Sequence, residues 1–349
     1  MRLRLALIAL LLGGAPAIAL TEPPAPGPLA AGMIESYLLP RYETFRGATA
    51  EQAKAWEEAC RDGDFAADLP ILRERFQTAA DGWAAVEHVT IGPASVGLRA
   101  DRIYFGPDRR NAVAKALGEL EAKAKAGELP ADAVERVSVA GQGFPALERL
   151  LYETDQATPQ ARCRVGVAVA RNLAAIADEI VAAWRAPDGP LARLKRGEGD
   201  PVHFADPAQA AARLMTDLAG GFQRVNDMKL FPMLGSSPDM ARPKAAEGWR
   251  SGRSARAIRA AVASLAAQAR IFASAAPKDI AAADDKDFAA AEAAAAKLPD
   301  DLGQAAADPK RRPAIEAAIA ALKTAQNDLA KNLAPALGIP LGFNALDGD

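Results

Sequence analysis

Histidine is nearly missing from this chain: His88 and His203 are the only two in 349 residues. That scarcity removes an H-E-x-x-H helix, a Cys2His2 finger and a histidine-rich tract, each of which needs histidines a few positions apart. No serine stands in a G-x-S-x-G elbow and no G-x-x-x-x-G-K-[ST] loop occurs. A serine hydrolase and a P-loop nucleotide enzyme therefore lack support. Strand alternation is absent too, since "VSVAG" is too short to seed a sheet. The Gly-x-Gly at Gly141 to Gly143 follows no strand and is no dinucleotide fingerprint.

Long apolar runs are also absent beyond the first twenty residues. That opening stretch, "MRLRLALIALLLGGAPAIAL", joins two arginines, an apolar run from Leu5 to Leu12 and a small-residue Ala17-Ile18-Ala19 end. It reads as a secretory signal peptide over residues 1–19, cleaved after Ala19. No cysteine lies at that junction to carry a lipid, and Leu3 separates Arg2 from Arg4, so the general export route is expected. Alanine-rich stretches such as "AAAEAAAAKL" are too weakly hydrophobic and too charged to cross a bilayer. No transmembrane segment is expected after signal cleavage, and the mature protein is expected to be periplasmic. Without Arg2 and Arg4 the chain carries 40 basic against 44 acidic residues, a net charge of −4. No block of like charge stands out, which argues against a nucleic-acid partner. Cys60 and Cys163, in an exported chain, most simply form one disulfide; a metal site built from both is the alternative.

What is there repeats on a helical period. After a Pro/Gly-rich stretch, read as a disordered leader over residues 20–31, the apolar positions Leu72, Phe76, Ala79, Trp83, Val86 and Thr90 are spaced by four and three residues. They predict one long helix ending before Gly92-Pro93. Thr158-Pro159, Asp206-Pro207 and Asp308-Pro309 each carry the cap-then-proline signature of a helix start, and another helix opens at Ser254. Thr49-Ala50-Glu51-Gln52 reads as a capping box opening the helix that carries Trp56 and Cys60. Shorter helices are expected from Asn111 to Lys125 and from Asp285 to Leu298. The fold class is all-α, with long helices packed as bundles. Ala186 to Pro201 is the candidate linker between an N-terminal helical-bundle domain (32–190) and a C-terminal one (191–349). "DGWAAVEHVTIGP" and "GGFQRVNDMKLFP" both run Gly-aromatic-x-x-Val into a proline, an echo that raises the question of an internal duplication.

The stretch with most chemistry is "GQGFPALERLLYE", Gly141 to Glu153. Its glycines form a loop, Pro145 suits a first helical turn, and Leu147, Leu150 and Leu151 give an apolar face. Glu148 then falls in or just past the first turn, near the positive end of the helix dipole. It either stabilises that end or works at a site. His88 lies opposite the Leu72–Trp83 stripe and is read either as a solvent-facing or interdomain residue or as a ligand in a cleft; His203 sits in the linker. Arg250, Arg253, Arg256 and Arg259 climb one drifting helix face at i, i+3 spacing, as forks suited to carboxylate or phosphate or as surface partners of Asp and Glu. Arg99, Arg102, Arg109 and Arg110 read the same way.

"GFPALERLLY" resembles the Gly-x-His-x-x-Glu segment of the imelysin family of helical exported bacterial proteins. "FQTAADGWAAVEHVTIGPASVGLRADRIYFGPDRRN", "RCRVGVAVARNLA", "GWRSGRSARAI" and "LGIPLGFNALDGD" look like imelysin segments too, so the likeness spans most of the mature chain. The resemblance implies two helical-bundle-like domains, with the motif in the first and a site in a cleft near their boundary. In motif register the residues are Gly143, Phe144, Pro145 and Glu148, so proline stands where the family has histidine. A histidine and a glutamate at i and i+3 sit about 60° apart on one helix face and can share a cation; proline supplies neither donor nor N–H. The resulting expectation is a non-catalytic, peptidase-like binding protein linked to iron uptake, with no catalytic residue. Its ligand or metal site is expected at Glu148, with His88, Glu87 and Arg99 in second rank. Its cargo is a small ligand or an iron or other divalent or trivalent ion, and a membrane iron-uptake system is the expected partner. Oxygen ligands suit iron(III). A metallopeptidase with a substituted motif and a purely structural or partner-binding helical protein are the alternatives.

Overall fold

The computed structural model describes residues 25–61, 64–130, 132–153 and 158–342, and among them no strand forms, only an isolated bridge between Asp200 and Phe204. The expected signal peptide lies outside the described residues. Helix α1 (Pro26–Met33) runs through a π turn (Ile34–Leu38) into α2 (Leu39–Ala59) as one continuous rod. The expected disordered leader is corrected from Pro26 onward, while residues 20–24 lie outside the described residues. Pro26 occupies the helix start, where its missing N–H costs nothing, and Ala30, Ala31, Met33 and Ile34 are buried. The capping box at Thr49 is also corrected. Thr49 is fully buried inside α2 and its hydroxyl donates back to the Arg46 carbonyl at 2.9 Å. The helix had already begun upstream, driven by buried Leu39, Tyr42 and Phe45.

Helices α2, α3 (Phe65–Ala84) and α8 (Pro159–Arg185) pack together, joined by α4 (Arg99–Ile103), α5 (Ala112–Ala126), α6 (Ala133–Arg136) and α7 (Phe144–Tyr152). Phe144 is the hub of this core. Its ring lies 6.2 Å from Phe45, 5.8 Å from Phe76 and 6.4 Å from Tyr104, spacings at which aromatic pairs attract beyond their burial. Cys60, capping α2, and Cys163 in α8 form a disulfide with Cα atoms 5.5 Å apart. The expected Thr158 and Asp206 caps hold: Thr158 Oγ1 accepts from the Ala161 amide and Asp206 from the Gln209 amide.

The second half contains α9 (Pro190–Lys195), α10 (Pro207–Arg224), a π turn (Val225–Leu230), α11 (Phe231–Leu234), α12 (Ser254–Ala273), α13 (Lys278–Ala296), α14 (Leu302–Ala307), α15 (Arg312–Asp328) and α16 (Ala334–Ala336). Several expected boundaries move, among them that of α13, which starts at Lys278 and not at Asp285. Six residues of the expected Ala186–Pro201 linker fold as α9, because Leu191 and Leu194 find burial. The α15 start shifts from Pro309 to Arg312, since the Asp308 carbonyl receives the Arg311 and Arg312 amides as a turn. Helix α3 stops at Ala84, short of Gly92, because the Thr90 and Ile91 amides leave the helical pattern to donate to Asp217 of α10 at 2.7 and 3.0 Å.

Those last bonds belong to a seam between the halves. Helix α3 packs on α12, where Ser264 Oγ donates to the Ala85 carbonyl at 2.6 Å. His88 meets Gln268 through Nε2 and packs on Gly221 of α10, where an added Cβ would come within 3.1 Å of its own. On the other edge of the seam, α1 lies against α10 and α9.

Candidate functional site

Gly143 sets the start of α7. The Arg102 and Ile103 carbonyls press on it so closely that a Cβ would stand 2.1 Å from the Ile103 oxygen. Only glycine lets α4 approach here. Phe144 then plunges into the core, fully buried, while Pro145 in the first turn and Glu148 three positions later share the opposite face. Both line a cleft of about 960 Å³ whose other wall is the 224–250 stretch of the second half.

Glu148 is buried, and it lies past the first turn of α7, so the helix end is not its partner. Ser251 is. Its amide donates to Glu148 Oε1 at 3.0 Å and its hydroxyl at 2.6 Å. Burial pushes the Glu148 carboxyl above its ordinary range, and the Ser251 hydrogen bonds, with Arg250 and Arg253, pull it back only in part.

A charged triad reaches the cleft through Glu247. Lys229, itself 2% exposed, donates to Glu87 at 2.7 Å and to Glu247 at 2.5 Å. Burial alone would raise Glu87; the Lys229 pair and the field of Arg224 overcome it and hold its carboxyl below the usual range. Tyr104 lines the cleft as well, its hydroxyl kept protonated by burial and by Glu247 and Glu148.

The structure thus brings Glu87 and Glu148 toward one region and leaves the other two candidates elsewhere. His88 does not line the cleft. It lies in the seam, neutral because burial lowers it to about 4. Arg99 binds Glu179 at 2.9 Å and the Pro93 carbonyl at 3.0 Å, away from the cleft. Of the arginine ladder, Arg250 pairs with Glu153, Arg253 and Arg256 share Asp81, and Arg259 binds Asp300. Sequence reasoning missed Lys229, Glu247, Ser251 and Arg224. Lys229 and Arg224 lie in "GGFQRVNDMKLFP" and Ser251 in "GWRSGRSARAI", segments that stood out for other reasons.

A resident metal does not fit this donor set. Among the described residues no group of three His, Cys, Asp or Glu converges as an ion requires. Glu148 is engaged by Ser251, Glu87 by Lys229, and Arg224, Arg250 and Arg253 add positive charge around both carboxylates.

Two solved structures share this fold. An imelysin-like protein from Psychrobacter arcticum 273-4 superposes with a TM-score of 0.77 at 20% identity, covering 93% of this chain and all of that one. A putative iron-regulated protein A precursor from Parabacteroides distasonis ATCC 8503 gives 0.71 at 14% identity, covering 89% and 95%. These likenesses establish the fold. None of the curated protein sequences matches significantly. A family model described as Imelysin matches residues 38–329, a span that contains the α7 motif, both walls of the cleft and the seam, and the chain belongs to the imelysin family.

Proposed function

We propose that this chain is an exported, periplasmic, non-catalytic binding protein of the imelysin family, with its ligand site in the cleft between Pro145-Glu148 and residues 224–250. The observation that carries the reading is the Glu148–Ser251 pair. The one ionisable residue of the motif is spent on a hydrogen bond across the seam, and its i, i−3 neighbour is proline. A water-activating metal would need several fixed ligands and a free base, and this face of α7 offers neither. The two halves on either side of the seam are taken as the two domains. Export is supported by the charged and apolar leader and by the Cys60–Cys163 disulfide. The likeness to the Parabacteroides protein, a putative iron-regulated precursor, supports placing this chain in iron uptake, with iron as part of the cargo and a membrane uptake system as partner.

The test is a thermal-shift screen of a small-molecule panel that includes ferric chelates, run beside a peptide-cleavage assay. Stabilisation by at least one compound, lost when Ala245→Trp fills the cleft, with no chelator-sensitive hydrolysis, is the expected outcome. Chelator-sensitive turnover, or a panel that stabilises nothing, would overturn the reading.

A further inference from the structure

We propose that the cleft selects a small polycarboxylate anion bearing a flat apolar portion, with Arg224 as its inner contact and Arg109, Arg242 and Lys244 at its mouth; this rests on the reading of the cleft as a ligand site. The cleft carries unspent positive charge. The lining holds four acids, and three are already engaged: Glu148 by Ser251, Glu247 by Lys229, and Asp108 by the Ala112 and Val113 amides that open α5. Of the six cations, Arg149 and Arg250 are paired with Glu153. Arg109, Arg224, Arg242 and Lys244 make no ion pair among the described residues; Arg224 acts on Glu87 at longer range, and exposed Asp227 is the single lining acid without an assigned partner.

Arg224 is the informative member. Its Nε is buried and without a hydrogen-bond partner, although the side chain lines the cleft. That nitrogen is shut off from solvent, so a ligand in the cleft would meet the other guanidinium nitrogens, and such a planar cation is best matched by a planar carboxylate. Beside these cations the lining presents Phe231, 50% exposed, and Trp249, 36% exposed, two of the larger apolar side chains left open to solvent. Arg250 lies 4.5 Å over the Trp249 ring and Lys244 5.3 Å from its centre, so charge and ring surface are presented together. Inorganic phosphate would satisfy the cations and leave the rings wet. The cleft volume is that of a small-molecule site, too small for a folded partner.

The test is calorimetry at low ionic strength with three probes: benzene-1,3,5-tricarboxylate, its neutral analogue benzene-1,3,5-trimethanol, and inorganic phosphate. The tricarboxylate is expected to bind, to weaken roughly tenfold or more in Arg224→Gln, and to weaken with added salt. The triol should give no measurable heat and phosphate weaker binding than the tricarboxylate. Arg242→Gln, at an exposed position, repeats the measurement where folding is not in question. No binding of the tricarboxylate, or binding unchanged in both variants, would overturn the proposal. Equal binding of the triol or of phosphate would also overturn it while leaving the cleft a ligand site, whereas failure of the Ala245→Trp screen removes the site itself.

Discussion

Glu148 and Ser251, 103 positions apart in the chain, are joined by two hydrogen bonds to a single carboxylate oxygen, at 3.0 Å from the amide and 2.6 Å from the hydroxyl. Glu148→Ala strands both donors in a half-buried place and is expected to cost about 1–3 kcal/mol. Glu148→Gln keeps an acceptor and should cost less. Thermal unfolding of the two variants checks this; equal and negligible losses would show that the pair is not formed.

Lys229 is the only cation in contact with both Glu87 and Glu247 among the described residues. Lys229→Met removes the cation that Glu87 and Glu247 share and should destabilise the fold by about 3–5 kcal/mol. The triple replacement of Lys229, Glu87 and Glu247 by apolar residues of similar volume should recover much of that loss, read by denaturant unfolding.

Asp284 of α13 is fully buried and lies against Asp328 of α15, with neither Asp284 oxygen meeting a donor. Two carboxyls can bond only if one keeps its proton, and burial with the Asp328 charge pushes Asp284 up to about 8. The native state therefore holds more protons than the unfolded chain between the ordinary aspartate range and pH 8. Stability should fall as pH rises through that window and level off above it. Asp284→Asn is expected to flatten that slope and raise the melting temperature at pH 8, measured by scanning calorimetry in matched buffers.

Reduction of Cys60–Cys163 opens a loop spanning 103 positions, worth about 5 kcal/mol in the chain-entropy account. Native and denatured thiol titration should find no free thiol, and Cys163→Ser should lower the denaturant midpoint markedly. Two titratable thiols in the native protein would contradict the bridge.

The helices were legible because their stripes repeat every three or four residues, and the stripe from Leu72 to Trp83 or the cap at Asp206 needs no knowledge of the rest of the chain. Boundaries failed where a distant group competed. Asp217 draws the Thr90 and Ile91 amides off α3, and the burial of Leu191 and Leu194 turns part of an expected linker into a helix. The cleft was half visible. Glu148 and Pro145 could be read from one segment, but Ser251, Lys229 and Arg224 reach them only through packing, and nothing in their local spacing marks them. His88 and Arg99 were drawn in by belonging to a family-like segment, which says where a stretch comes from and not which way its side chains face.

Helix α1 lies on α10, with Gly27 so close to Pro207 that a Cβ would stand 2.6 Å from the proline ring. The earliest described part of the chain is therefore finished only when residues past 207 have emerged. Such sequence-distant closure raises contact order and slows folding, and until α10 arrives the Gly27 face of α1 stays uncovered. Severing the chain between the halves would leave each with an open apolar flank, so this protein should assemble as one cooperative unit and not in two independent steps.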